Sequence, residues 1–377
     1  MDKPSKTIHR FLISTPSLLI GDYESTDLRI DHAWPFHGSL NRIRQGWEEG
    51  PHSRNYFVIS LNVEEAKPTI AIPDYTHVAD RVCAVLSVYY GKRFDNHGPL
   101  ISHGIFGVPE LSSGSAAVYF SAAPFSHKPR KDFEVPLDLR RFPTIAPMLF
   151  TEQATNRFNG VFFTAARFYL RALQVFDHQP EFAYLDLITS GEIIASYKKI
   201  PQDVLLDEDT KRVLCRIESE IKDGPEIARR LRGKMRQIRR AFSITLSGLL
   251  TDVFYLNSEC ATEVGQLRRD QIENRLKASY DLRSEYVHSG IQFGGWMQPR
   301  GPTMDEVQVW QPSVGDKALA KALFLAPTFL GMERIVRFAL LRMIHLEAIS
   351  LDPKLDDTRS GADEQSVAPE RRGDGGG

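Results

Sequence analysis

A change of texture near Thr151 constrains this 377-residue chain more than any other feature. Before it, Pro, Gly, Ser and His punctuate short apolar runs. After it, proline thins out and apolar residues recur every three or four positions. Short runs between turn residues indicate strands, and a three-to-four-residue step indicates helices buried on one face. The expected fold is therefore α+β. A mostly-β α+β domain spans 1–150, an all-α bundle spans 151–350, and a polar, Gly-rich tail over 351–377 is expected to be disordered. Apolar residues make up 42% of the chain, enough for a sizeable core, and the net charge of −1 leaves any polyanion-binding surface to be local.

In the first half, Phe11 to Ile20, Phe57 to Val63, Thr69 to Ile72 and Ala116 to Ser121 are expected to be strands. Val78, Val82, Val85, Leu86 and Tyr89 carry helical spacing that ends at Gly91. His32, His37, His97 and His103 form no H-E-x-x-H and no helical i, i+4 pair, so loop histidines explain them better than a metal site. No metal or other cofactor is expected. The three cysteines fit no zinc or redox spacing and suggest free, mostly buried thiols. No apolar run approaches the roughly 20 residues of a membrane span, so a cytoplasmic protein is expected.

In the second half, helices are expected over about Glu152–Phe176 and Glu181–Tyr197, the latter apolar enough to be central. Glu192 lies within it, either on its one exposed stripe or in a buried ion pair with an arginine of the bundle. Lys199 to Asp209 reads as a linker. A long helix follows from Pro225 to about Leu256, with Ile227, Leu231, Met235, Ile238 and Phe242 on one face. Arg229, Arg230, Arg232, Lys234, Arg236, Arg239 and Arg240 oppose them, against the single acid Glu226. Such a run is either a solvated face or a track for a phosphate backbone, with Arg229, Arg232, Arg236, Arg239 and Arg240 as the RNA-binding candidates. Aromatics to stack on bases are scarce there. Another helix begins near Gln266, and the last spans Asp316 to Glu347 with a kink at Pro327.

Between those two helices lies Tyr280-Asp-Leu-Arg-Ser-Glu-Tyr-Val-His-Ser-Gly290. Its Arg283 and His288 suit RNA cleavage. RNA supplies its own nucleophile, the 2′-OH. Histidine titrates near neutral pH and can move protons, and the arginine fork matches phosphate oxygens. Spacing alone means little, because Arg171 and His178 are a similar pair in a helix-ending turn. A residue-only alternative also stands: Arg283 pairs with Asp281, Glu285 or Glu192, and His288 ends the helix. A five-residue step turns about 140° on a straight helix. Either the helix ends or distorts near His288, or a second chain completes the site.

The segment resembles the signature of HEPN domains, closest to the Apea-like branch, through Tyr280, Asp281, Arg283, Ser284, Val287 and His288. The likeness covers about residues 152–347. It extends to the aromatic-rich Phe162 to Leu173, the embedded Gly191-Glu-Ile-Ile194, and the arginine-bearing Leu323 to Leu346. Ser289 stands where glycine is usual, and Gly191 where a larger residue precedes the glutamate. The tyrosine that marks the antitoxin-partner type two residues after the histidine is replaced by Gly290.

The resemblance implies a homodimer with a composite site and metal-independent cleavage of single-stranded RNA, as in phage-defence or toxin effectors. Arg283 and His288 would be catalytic, with Ser284, Tyr286, Asp281 and Glu192 in support. Residues 1–150 lie outside the likeness, and their expected role is recognition or the sensing of an unknown activator. Other members are non-catalytic dimerisation or binding modules, which is the alternative function.

Overall fold

Alternation along one strand orients the sheet. In the computed structural model, Phe57, Ile59 and Leu61 are buried while Tyr56, Val58 and Ser60, alternating with them, are partly exposed. The structure describes residues 6–33, 54–64, 75–101, 123–150, 157–234, 237–298 and 303–356. Five strands, β1 (Lys6–Thr15), β2 (Tyr23–Glu24), β3 (Leu28–His32), β4 (Asn55–Glu64) and β5 (Asp95–Ile101), pair in the order β2-β3-β4-β1-β5. Every pairing is antiparallel. Phe11 faces Ile59, Ile13 faces Phe57, and Leu28 faces Leu61, so one apolar face runs across three strands. The fold is α+β, as expected.

Helix α1 (Thr76–Tyr90) touches β1 and β5 and also the helices that follow. It ends where the sequence places its end, at Gly91, in the left-handed region with φ 62°. Glycine is needed there twice over. A Cβ would come within 2.5 Å of Arg337 Nε and 2.7 Å of Arg130.

The helical half comprises, besides shorter turns, α2 (Arg157–Val175), α3 (Pro180–Lys198), α4 (Glu208–Glu220), α5 (Gly224–Lys234), α6 (Ile238–Leu249), α7 (Ile272–Ser289), α8 (Lys317–Leu325) and α9 (Phe329–Glu347). α3 packs on α2, α6 and α9, and its buried Tyr184, Leu187, Ile188 and Ile194 make it central. Side chains from Phe11 to Leu355 share one continuous core, so the sheet and the bundle are packed together.

Charge also ties the halves together. Asp132 is fully buried and accepts from Arg334 at 3.2 Å and Arg337 at 2.9 Å. Arg130 forks onto Glu333 with two 2.8 Å bonds and reaches Glu259 at 2.6 Å. Burial alone would push the Asp132 carboxyl up; Arg337, Arg334 and Arg130 outweigh it and hold it below its usual range.

Several expectations change. The single helix from 225 to 256 is three: α5, α6 and a short turn at Asp252–Leu256. α5 buries Ala228 in a small separate cluster with Leu206 and Leu214, whereas Phe242 and Leu246 of α6 enter the main core. Pieces with different partners do not form one straight helix, and the expected apolar face is broken up: Phe242 enters the main core and Leu231 packs on the small cluster, but Ile227 and Ile238 are 38% and 47% exposed. The presumed linker 199–209 holds a helical turn at Gln202–Leu205 and the buried Leu206. Pro327 separates α8 from α9 outright, and Thr328 caps α9 through Gly331 N–H at 3.2 Å. The expected tail starts packed: Leu355 is buried and Asp356 binds His345 at 2.9 Å.

The expected strands at 69–72 and 116–121, His37, His103, Met235, Arg236 and the tail from 357 onward lie outside the described residues. Cys83 and Cys260 are buried free thiols, and Cys215 is exposed. Among the described residues no helix is long and apolar enough to cross a membrane. No group of three or more His, Cys, Asp or Glu among them could hold a metal ion.

Candidate functional site

Helix α7 is built to hold its first half and present its last turns. Ile272, Leu276, Ser279 and Leu282 are buried at three- and four-residue steps. Beyond Leu282 the burial stops: Glu285, Val287, His288, Ser289 and Gly290 are all exposed. The helix stays regular through Ser289. Gly290 then adopts φ 68° and its N–H caps the Tyr286 carbonyl at 3.0 Å. The glycine one residue after its usual place thus still serves as the helix stop, with one more residue of helix before it.

The candidate pair is split around this tip. Arg283 is partly exposed and reaches Glu192 of α3 at 3.5 Å, with 30% and 19% of the two side chains exposed. Its guanidinium lies 5.4 Å from the centre of the Tyr280 ring. Partial burial, and then the Glu192 carboxylate, push the Tyr280 hydroxyl up. Of the two readings of Glu192, the structure has the ion pair, half-buried rather than sealed. His288 makes no hydrogen bond or ion pair among the described residues. On a helix that stays regular between them, the two residues are about 7.5 Å apart along the axis and about 140° apart around it. One chain does not aim both at one phosphate.

The supporting residues divide as well. Ser284 is half-buried. Tyr286 turns inward, its ring edge-on to Phe182 at 6.1 Å and Phe293 at 5.8 Å. Asp281 is bound by Arg239 of α6 at 2.6 Å, and Arg239 also reaches the Lys277 carbonyl at 3.4 Å. This link joins the basic run to the motif helix, and no spacing in the sequence announces it.

The rest of the basic run is dispersed. Arg229 is exposed on α5, and neighbouring Arg230 is tied to Glu226 at 2.5 Å. Arg240 sits near Asp207 and Glu208, whose carboxyls are held low first by Thr210 and Lys211 respectively, with Arg240 adding to both. Arg232 lies on α5, but its side chain, like the whole of Arg236, is outside the described residues. A continuous arginine track along one helix is therefore not what the chain presents, because residues 224–249 are divided between α5 and α6.

Gly191 has a packing reason. A Cβ there would meet Phe242 of α6 at 2.6 Å and Leu246 at 2.9 Å. The absent side chain lets α6 close on α3 beside Glu192. Sequence reasoning passed over Phe182, 51% exposed, which with the 55% exposed Val287 of the motif puts apolar groups near the His288 tip. The decoy pair separates: Arg171 binds Asp186, and His178 lies exposed in the turn after α2.

No family model, no curated protein and no solved structure matches the chain, so the likeness of the α7 tip to a known signature stands on its own residues.

Proposed function

We propose that this chain is a metal-independent endoribonuclease of the HEPN type, acting as a homodimer on single-stranded RNA. The observation that carries the reading is the α7 tip: an exposed, unpartnered His288 on the helix that holds a loosely paired Arg283. A twofold axis near the tip would bring two arginines and two histidines together, supplying what the 140° offset denies one chain. Exposed Val287 and Phe182 give such a contact apolar area.

In that assembly one His288 takes the proton from the 2′-OH and the other delivers one to the departing 5′-oxygen. The 2′-oxygen bonds to phosphorus as the P–O5′ bond breaks, leaving a 2′,3′-cyclic phosphate and a 5′-hydroxyl. Arg283 neutralises the phosphorane oxygens. A helix C-terminus presents carbonyls, which disfavour an anion. The phosphate therefore depends on arginine for its charge balance. A role in phage defence or as a toxin, with an activator read by residues 1–150, extends this proposal.

A second reading rests on the Glu192 pair: Arg283 braces α7 against α3, and the bundle is a non-catalytic dimerisation or RNA- or protein-binding module. One experiment separates the two. Purified protein is incubated with single-stranded RNA in EDTA beside Arg283→Ala and His288→Ala, and ends are mapped. Cyclic-phosphate ends from wild type alone support the nuclease. Cleavage that survives both substitutions removes this site from the mechanism. Wild type that binds RNA without cutting it favours the second reading.

A further inference from the structure

A cavity of about 400 Å³ lies between α1, β5 and α2 and shares no residue with the α7 tip. Small-molecule sites occupy about 300–1,000 Å³ and combine apolar walls with a few convergent polar groups. This one has both. Cys83 and Leu170 line it as buried apolar wall, with the Phe168 ring beside them.

Two cations stand one helical turn apart on the α2 wall. Arg167 is exposed and makes no ion pair or hydrogen bond among the described residues. Arg171 is bound to Asp186, and its guanidinium lies 4.9 Å from the centre of the Phe168 ring. On α1, the Asp80 carboxylate accepts from Asn96 Nδ2 at 2.9 Å through one oxygen, which orients it and leaves the other oxygen open. Gln174 is oriented likewise, its Nε2 donating to the Phe94 carbonyl at 2.9 Å.

A free arginine, an aromatic and aliphatic wall, and a positioned carboxylate call for a ligand with three matching parts. These are an anion to meet Arg167 on the α2 wall, a flat ring, and N–H donors to meet Asp80 on the α1 wall. We propose that the cavity binds a purine nucleoside monophosphate, its phosphate on Arg167 and its base edge on Asp80. Guanine fits best, because its N1–H and N2–H are adjacent donors: the open Asp80 oxygen accepts one, and the oxygen bound by Asn96 has a second lone pair for the other. This site is independent of the ribonuclease reading and is measured without RNA.

The test is isothermal titration calorimetry of the full chain with GMP, AMP, guanosine and inorganic phosphate. GMP is expected to bind at least about tenfold more tightly than guanosine or phosphate alone, as one charge-assisted contact is worth that much. GMP is also expected to bind more tightly than AMP. Arg167→Glu, a change at an exposed position, should lower GMP affinity about tenfold or more with an unchanged circular dichroism spectrum. Asp80→Asn should narrow the preference for GMP over AMP. No heat with GMP at millimolar concentration overturns the site. So does phosphate binding as tightly as GMP, AMP binding as tightly as GMP, or unaltered GMP affinity in both variants.

Discussion

Two sets of arginines in this protein meet opposite fates. On α9, Arg334 and Arg337 are essentially inaccessible and share the buried Asp132. At the α7 tip, Arg283 keeps 30% of its side chain in water and holds Glu192 at 3.5 Å. A charge sunk in the core leaves its partner stranded if it is removed, so it is committed to structure. A charge at a half-open pair gives up little when it turns to a ligand. The contrast separates arginines that hold the fold from one able to serve phosphate chemistry, although all three sit on apolar-faced helices.

The largest expected effect tests the tip. His288→Ala should lower the rate of RNA cleavage about 10²–10⁴-fold, the usual worth of a positioned proton-transfer group. The unfolding midpoint should stay unchanged, because the exposed imidazole holds nothing in place. A matching loss of stability would erase the contrast between tip and core.

The core supplies the next. Asp132→Ala should cost about 3–5 kcal/mol in urea unfolding, because it takes the buried Arg337 guanidinium's carboxylate partner and one of the two that hold Arg334, which keeps only Glu306. The pH dependence has a definite sign. An unfolded Asp titrates at about 3.9, and the folded Asp132 lies lower. Its stabilisation is therefore fully present above the unfolded value and is lost as pH falls through the folded one. Acid titrations followed by circular dichroism should lose that component in Asp132→Asn. Arg283→Ala should cost no more than about 1 kcal/mol in the same assay. A cost equal to that of Asp132→Ala would make Arg283 a structural brace.

Smaller changes sharpen the boundary between the regions. Gly191→Ala should cost about 1–3 kcal/mol by forcing α6 away from α3, given the 2.6 Å approach of Phe242 to the added Cβ. Thermal unfolding reads the cost, and a neutral result would show that α6 yields freely. Asp281→Ala breaks a pair exposed by 49% and 44%, so its stability effect should stay within about 0.5–1 kcal/mol. If RNA affinity rises in that variant, the released Arg239 contributes to binding; if it is unchanged, Arg239 serves only the α6–α7 contact.

Much of the fold was legible from local pattern. The α1 stop at Gly91, the β4 strand and the α2 and α3 helices all follow from period and turn chemistry, as does the helical character of 317–347, though not its division at Pro327. Other elements were hidden for physical reasons. β5 contains Gly98 and Pro99 and reads as a turn, yet it is an edge strand, where proline is tolerated. α4 buries only Leu214 within its span and carries too little apolar signal to stand out. The α5–α6 division was illegible because it depends on which neighbours each piece meets.

The candidate site shows the same division. Sequence by itself determined that five residues of regular helix turn Arg283 and His288 about 140° apart, and that Gly290 offers a helix stop just beyond them; the structure shows that the helix stays regular through Ser289. Helix geometry is local, so the chain carries that information in its own order. Tertiary structure decided what each charge meets. Glu192 comes to Arg283 from α3, Arg239 comes to Asp281 from α6, and Asp132 comes to Arg334 from 202 residues away. A partner that distant leaves no periodic trace in sequence, and only packing of the sheet against the bundle brings it within reach.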